Sequence, residues 1–181
     1  MALKATIFKA TLHIADMDRH YYADHHLTIA RHPSETDERM MIRLLAFALN
    51  ASDNLEFTKG LSSDDEPELW QKSLTDEIEL WIDLGLPDED RIRKACNRSR
   101  RVILYAYGGR AVPVWLEKHH NKLTRFGNLT IVELPADPIT ELAALAERSM
   151  TLQVSVQDGE VTFSNERDLV SIIPVQRLPE I

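Results

Sequence analysis

Phe8, Ala10, Leu12 and Ile14 alternate with Lys9, Thr11 and His13, and this period of two predicts a half-buried strand. Tyr21, Ala23, Leu27 and Ile29 predict a second strand, joined to the first as a hairpin through the polar stretch Asp16-Met17-Asp18-Arg19. After Pro33 the period changes. Ser34 as N-cap with Asp37 three positions on approximates a capping box, and the helix it opens should run to about Asn50. Met40, Met41, Ile42, Leu44, Leu45, Phe47 and Leu49 make that helix apolar on most sides, as expected of a helix buried in a core.

A short strand at Leu55 to Thr58 leads into the acidic loop 62–68, which is expected to open one helical turn around Leu69 and Trp70. Ile78, Leu80, Ile82 and Leu84 then form one face of a strand, and Glu77, Glu79, Trp81 and Asp83 the other. Gly85 and Pro87 end it. A helix from about Asp88 to Ser99, with Ile92, Ala95 and Cys96 inward, is followed by a buried strand from Arg101 to Tyr107; strand, helix, strand with short joins is a parallel crossover unit. Further on, the pattern predicts a helix at 112–120, a strand at 129–134 and a helix at about 139–148. A hairpin follows in which Val154 and Val156 face Val161 and Phe163 across the Asp158-Gly159 turn. Beyond Ser164 no pattern is evident. The elements define an α/β chain with a mixed sheet, expected to form a single domain over residues 1–181.

Composition narrows the class. The chain has 181 residues, long enough for a core without disulfides, and its one cysteine, Cys96, leaves neither a disulfide nor a zinc cluster to be expected. No apolar run approaches the ~18 residues of a membrane span, and the start of the chain lacks the continuous apolar segment of a secretory signal. The expectation is a soluble, cytoplasmic protein with no membrane partner. A net charge of −8 opposes non-specific binding to nucleic acid, but it averages two unlike segments. Residues 52–90 carry thirteen acids and two bases, and residues 91–125 ten bases and one acid, so a net of −11 gives way to +9. Such a junction would place carboxylates for a divalent cation beside groups that attract phosphate; two solvated surfaces are the plainer alternative.

Phosphate-loop, dinucleotide and nucleophile-elbow motifs are all missing. The candidate chemistry lies elsewhere. Glu38 shares a helical stripe with Ile42, Leu45 and Leu49 and should face inward, either as a paired structural glutamate near the helix start or as a cation ligand. Asp83 ends a strand just before the basic helix, where ligands of α/β folds collect; the alternative is an edge or turn carboxylate. Asp64, Asp65 and Glu66 form either a solvated loop or part of a metal site. Arg91, Lys94 and Arg98, spaced by three and four, put three cations on one stripe, either a solvated face or a nucleic-acid contact. If they converge, these groups would hold Mg²⁺, activate water and neutralise a phosphodiester.

Several longer runs are specific enough to resemble a known family. Ala30 to Glu35 with Glu38 to Met41, Phe57 to Ser62 with Asp64 to Glu68, Leu80 to Asp88, Arg91 to Cys96, and Thr151 to Gln153 with Gln157 to Gly159 resemble the YaeQ family over nearly the whole chain. That resemblance implies a variant of the PD-(D/E)XK nuclease fold, with a core over about 34–107 and an added N-terminal β-hairpin. It implies Mg²⁺ ligands at Glu38, at Asp65 or Glu66, and at Asp83, and a catalytic lysine. Gly85 stands where the strand lysine of that motif would be, so Lys94 on the following helix is the candidate replacement. A Mg²⁺-dependent nuclease or phosphodiesterase is the first functional expectation; a non-catalytic nucleic-acid or protein adaptor on the same fold is the other.

Overall fold

The computed structural model describes residues 4–58 and 65–180 and divides them into two compact units, 4–49 with 137–174 and 50–136 with 175–180. In the first unit, β1 (Thr6–Asp16) and β2 (Tyr21–Arg31) pair antiparallel in unbroken register from Thr6 opposite Arg31 to Asp16 opposite Tyr21. The alternation seen in the sequence is the cause: Phe8, Ala10, Leu12 and Ile14 are all buried, while the residues between them look outward. α1 (Asp37–Asn50) follows, buried from Met40 through Ala48.

The expected N-cap is displaced by two residues. Thr36, not Ser34, receives the Arg39 backbone N–H on its hydroxyl at 3.1 Å. This frees Glu35 to turn inward, where its Oε1 accepts from Arg43 Nη2 at 2.5 Å; the two side chains are 2% and 4% exposed. Arg39 approaches the second oxygen at 3.5 Å, and Arg43 also donates to the Ala30 carbonyl at 2.9 Å. A buried ion pair of this kind is tolerated because several hydrogen bonds replace the lost water.

In the second unit, β3 (Leu55–Phe57), β4 (Leu69–Lys72) and β5 (Ile78–Leu84) form an antiparallel meander. The helical turn expected around Leu69 and Trp70 is therefore a strand, held by pairing with β5, with Trp70 opposite Trp81. α2 (Glu89–Arg98) crosses to β6 (Ser99–Ala106), which lies parallel to β5, and α3 (Ala111–Leu123) crosses to β7 (Leu129–Glu133), parallel to β6. Trp81, Ile92, Ala95, Val102, Leu104, Val112, Leu123 and Ile131 share one apolar cluster, which fixes α2 against this sheet. Asp88 caps α2, accepting from Arg91 N–H at 2.9 Å.

α4 (Ala136–Ala143) starts three residues before the predicted position and is shorter. β8 (Ser149–Gln157) and β9 (Glu160–Ser164) form the expected hairpin, with Val154 opposite Phe163 and Val156 opposite Val161. Its turn residues Asp158 and Gly159 have φ of 52° and 78°, the left-handed conformation a two-residue hairpin loop demands. The patternless end of the chain holds two further strands, β10 (Leu169–Ile172) and β11 (Val175–Leu178). The sheet orders are β10-β9-β8-β1-β2 in the first unit and β11-β7-β6-β5-β4-β3 in the second, both mixed. No helix among the described residues is long and apolar enough to cross a membrane.

Candidate functional site

Asp83 sits at the end of β5, one residue before the chain turns at Leu84 and Gly85 toward α2. Its side chain is only 5% exposed. Because Asp88 fixes the first turn of α2, Arg91 projects back over the strand end. Its Nε donates to Asp83 Oδ2 and its Nη2 to Asp83 Oδ1, both at 3.0 Å. Two parallel N–H···O bonds from a planar guanidinium are the strongest arrangement open to a carboxylate and an arginine, and they occupy both oxygens. The same Nη2 reaches the Glu66 carbonyl at 2.9 Å.

Arg98, two turns further along α2, repeats the theme. Its Nη1 donates to the Asp65 carbonyl at 2.8 Å while its guanidinium lies 5.4 Å from the centre of the Trp81 ring. Asp65 and Glu66 are thus tied to α2 through main-chain carbonyls. Of the basic stripe read from the sequence, Arg91 and Arg98 hold the strand and the 65–66 segment in place. Lys94 between them is exposed and makes no ion pair with a described residue. Asp64 and the run 59–63 lie outside the described residues.

Gly85 has φ of +93°, a conformation that side chains other than glycine rarely adopt, and its N–H donates to the Tyr105 carbonyl at 2.9 Å. A lysine at this position would be strained. One residue before β4, Glu68 is buried at 4% exposure and donates its N–H to the Ile82 carbonyl at 3.0 Å. Continuing the Leu69–Ile82 register places it opposite Asp83. Sequence patterning misses Glu68 because the acidic run before it imitates a helix start; with Leu69 to Lys72 as a strand, the same residues point to it.

Glu38 lies half-buried in the first turn of α1, in the first unit, whereas Asp65, Glu66, Asp83 and Lys94 all belong to the second. Within either unit these groups do not assemble a metal centre. Among the described residues no three His, Cys, Asp or Glu side chains are placed to hold a metal ion. The donor set around Asp83 does not fit Mg²⁺ as it stands, because Arg91 occupies both carboxylate oxygens with a fixed positive charge.

Exposed cations are plentiful on the second unit. α2 and α3 pack side by side and are bridged by Lys122 Nζ to Glu89 Oε2 at 3.1 Å. Lys94, Arg101, Arg110, Lys118 and Arg125 are exposed and lack an acidic partner within ion-pair distance among the described residues.

The fold and this strand end define a mixed α/β protein in which a helix-borne arginine clamps the carboxylate of a central strand. The chain belongs to the YaeQ family: the family model described as YaeQ protein matches residues 1–174. Relatives include the uncharacterised protein YaeQ of Salmonella typhi, 49% identical over 172 residues, and that of Escherichia coli (strain K12), 47% identical over 172 residues. Each match covers 95% of both chains. The crystal structure of YaeQ protein from Xanthomonas axonopodis pv. citri superposes with a TM-score of 0.93 at 53% identity, covering 96% of this chain and 98% of that one. YaeQ protein from Pseudomonas syringae gives 0.92 at 38% identity, covering 97% of each chain.

Proposed function

We propose that this chain is a nucleic-acid-binding protein on a nuclease-like frame, in which an arginine has taken the place of the catalytic cation. The order α1-β3-β4-β5-α2-β6 follows the helix, three strands, helix, strand of PD-(D/E)XK proteins, which supports the kinship. The observation that carries the non-catalytic reading is the two-pronged Arg91–Asp83 pair, since it neutralises the acid that would bind Mg²⁺ and engages both of its oxygens. The exposed cations of α2, α3 and their flanks supply the phosphate-binding surface in this reading.

Fluorescence anisotropy with labelled single-stranded and duplex oligonucleotides tests it. The full chain should bind in a salt-dependent way. Lys94→Glu with Lys118→Glu should weaken binding and lower the slope of log affinity against log salt by about 0.9 for each duplex phosphate that is no longer neutralised. No binding to either oligonucleotide at low salt would refute the proposal.

A second reading, a Mg²⁺-dependent phosphodiesterase, is favoured by one observation: two buried carboxylates, Asp83 near the end of β5 and Glu68 one residue before β4, come opposite each other when the Leu69–Ile82 register is continued. It requires Arg91 to give way. Mg²⁺-dependent cleavage of an oligonucleotide that disappears in Asp83→Asn would establish it over the first.

A further inference from the structure

The two sheets end differently. The edges of the second unit's sheet are the short strands β3 and β11, of three and four residues, and β10, on one edge of the first unit's sheet, has four. The other edge of that first sheet is β2, eleven residues long and paired on one side only, with β1. Natural edge strands are usually shortened, bulged, or marked with lysine or proline to prevent pairing with another chain. β2 contains no Pro, Gly or Lys and its register with β1 is unbroken; its charged residues are Asp24 and Arg31, and near its end Arg43 of α1 donates to the Ala30 carbonyl.

The core also stops short here. In β1 the inward side chains from Phe8 to Ile14 are buried, whereas Tyr21, Ala23 and Leu27 on the inward side of β2 are only half-buried. Apolar surface therefore continues to the edge and is left partly open.

We infer that β2 is a homodimerisation edge, pairing antiparallel with β2 of a second copy to make one sheet of ten strands. A two-fold axis normal to the sheet keeps each face with its counterpart, so residues of like parity come opposite one another. Of the possible registers, the one centred on His25 sets Asp24 against His26 of the partner subunit, twice by symmetry. It also sets Ala23 against the partner's Leu27. A register centred on Asp24 opposes two carboxylates, and one centred on His26 leaves Asp24 opposite the partner's Thr28; the Asp24–His26 hydrogen-bonding match therefore selects the first. On the outward face Asp24 already accepts from His13 Nδ1 at 2.7 Å and His26 Nδ1 meets Thr11 Oγ1 at 3.2 Å, which holds both rings and the carboxylate upright for the contact.

Sedimentation equilibrium of the full chain tests this directly. The wild type should be a dimer at micromolar concentration. His26→Glu and Asp24→Lys should each weaken it about ten-fold or more, with circular dichroism and melting unchanged in shape, and the two together should restore it by exchanging the charges. Hydrogen exchange should show β2 amides deprotected on dilution. A wild type that stays monomeric to about 100 μM overturns the inference. A dimer indifferent to both single substitutions, or β2 amides whose exchange does not depend on concentration, overturns it too.

Discussion

The two units use the same device to different ends. In each, a carboxylate placed before a helix is met by an arginine eight residues downstream: Glu35 by Arg43 in the first unit, Asp83 by Arg91 in the second. The first pair is closed on all sides, with Arg43 4% exposed. The second is open on the arginine side, where Arg91 is 24% exposed and also donates to the Glu66 carbonyl. A sealed pair stabilises one arrangement of strand and helix and can do little else. A half-open pair at the end of a central strand leaves its arginine partly in reach of solvent.

Breaking the sealed pair should have the largest effect. Glu35→Ala leaves Arg43 buried and uncompensated and should lower stability by about 3–5 kcal/mol, read from urea unfolding. A loss under 1 kcal/mol would mean that the arginine escapes to water. Arg91→Ala should cost less, about 2–3 kcal/mol, because water can reach part of the vacated space. The double variant Asp83→Ala, Arg91→Ala should be less destabilised than the sum of the singles by about 0.5–3 kcal/mol; strict additivity would show the pair to be uncoupled.

Alkali should act on the second unit through Cys96, whose thiol burial pushes up from 9.0 to about 11. The folded chain keeps the proton that the unfolded chain loses, so stability should fall as pH rises from about 9 and level off above about 11. Cys96→Ser, followed by urea unfolding across that range, should remove most of this dependence. At the small end, Lys94→Ala should leave stability within about 0.5 kcal/mol, in contrast to its neighbours Arg91 and Arg98. An unfolded or strongly destabilised Lys94 variant would mean that the lysine, too, holds the 65–66 segment.

The contrast between units also explains how far the amino-acid pattern alone reveals the fold. β1, β5 and the β8–β9 hairpin are legible because period-two alternation and an Asp-Gly turn are local signals. β4 is not, since Pro67 and the acidic run imitate a helix start and only pairing with β5 makes it a strand; β10 and β11 are too short to carry a period. At the site, Asp83 stands out by its place at a strand end. Its partner does not, because the aim of Arg91 depends on how the Asp88 cap orients α2. Glu35 is hidden behind the apparent N-cap at Ser34, and the apolar stripe of α1 points to Glu38 instead. Arg91 and Arg98 likewise resemble surface charges whose reversal would hardly matter; their bonds to Asp83, Glu66 and Asp65 make them structural.

Calorimetric titration of the wild-type chain with Mg²⁺ and Mn²⁺, beside Asp83→Asn, tests most directly whether Arg91 stands in for a metal ion. With Asp83 held at both oxygens, neither cation should bind saturably at low millimolar concentration, and the two proteins should give the same heats. Saturable binding by the wild type that Asp83→Asn abolishes would contradict the account.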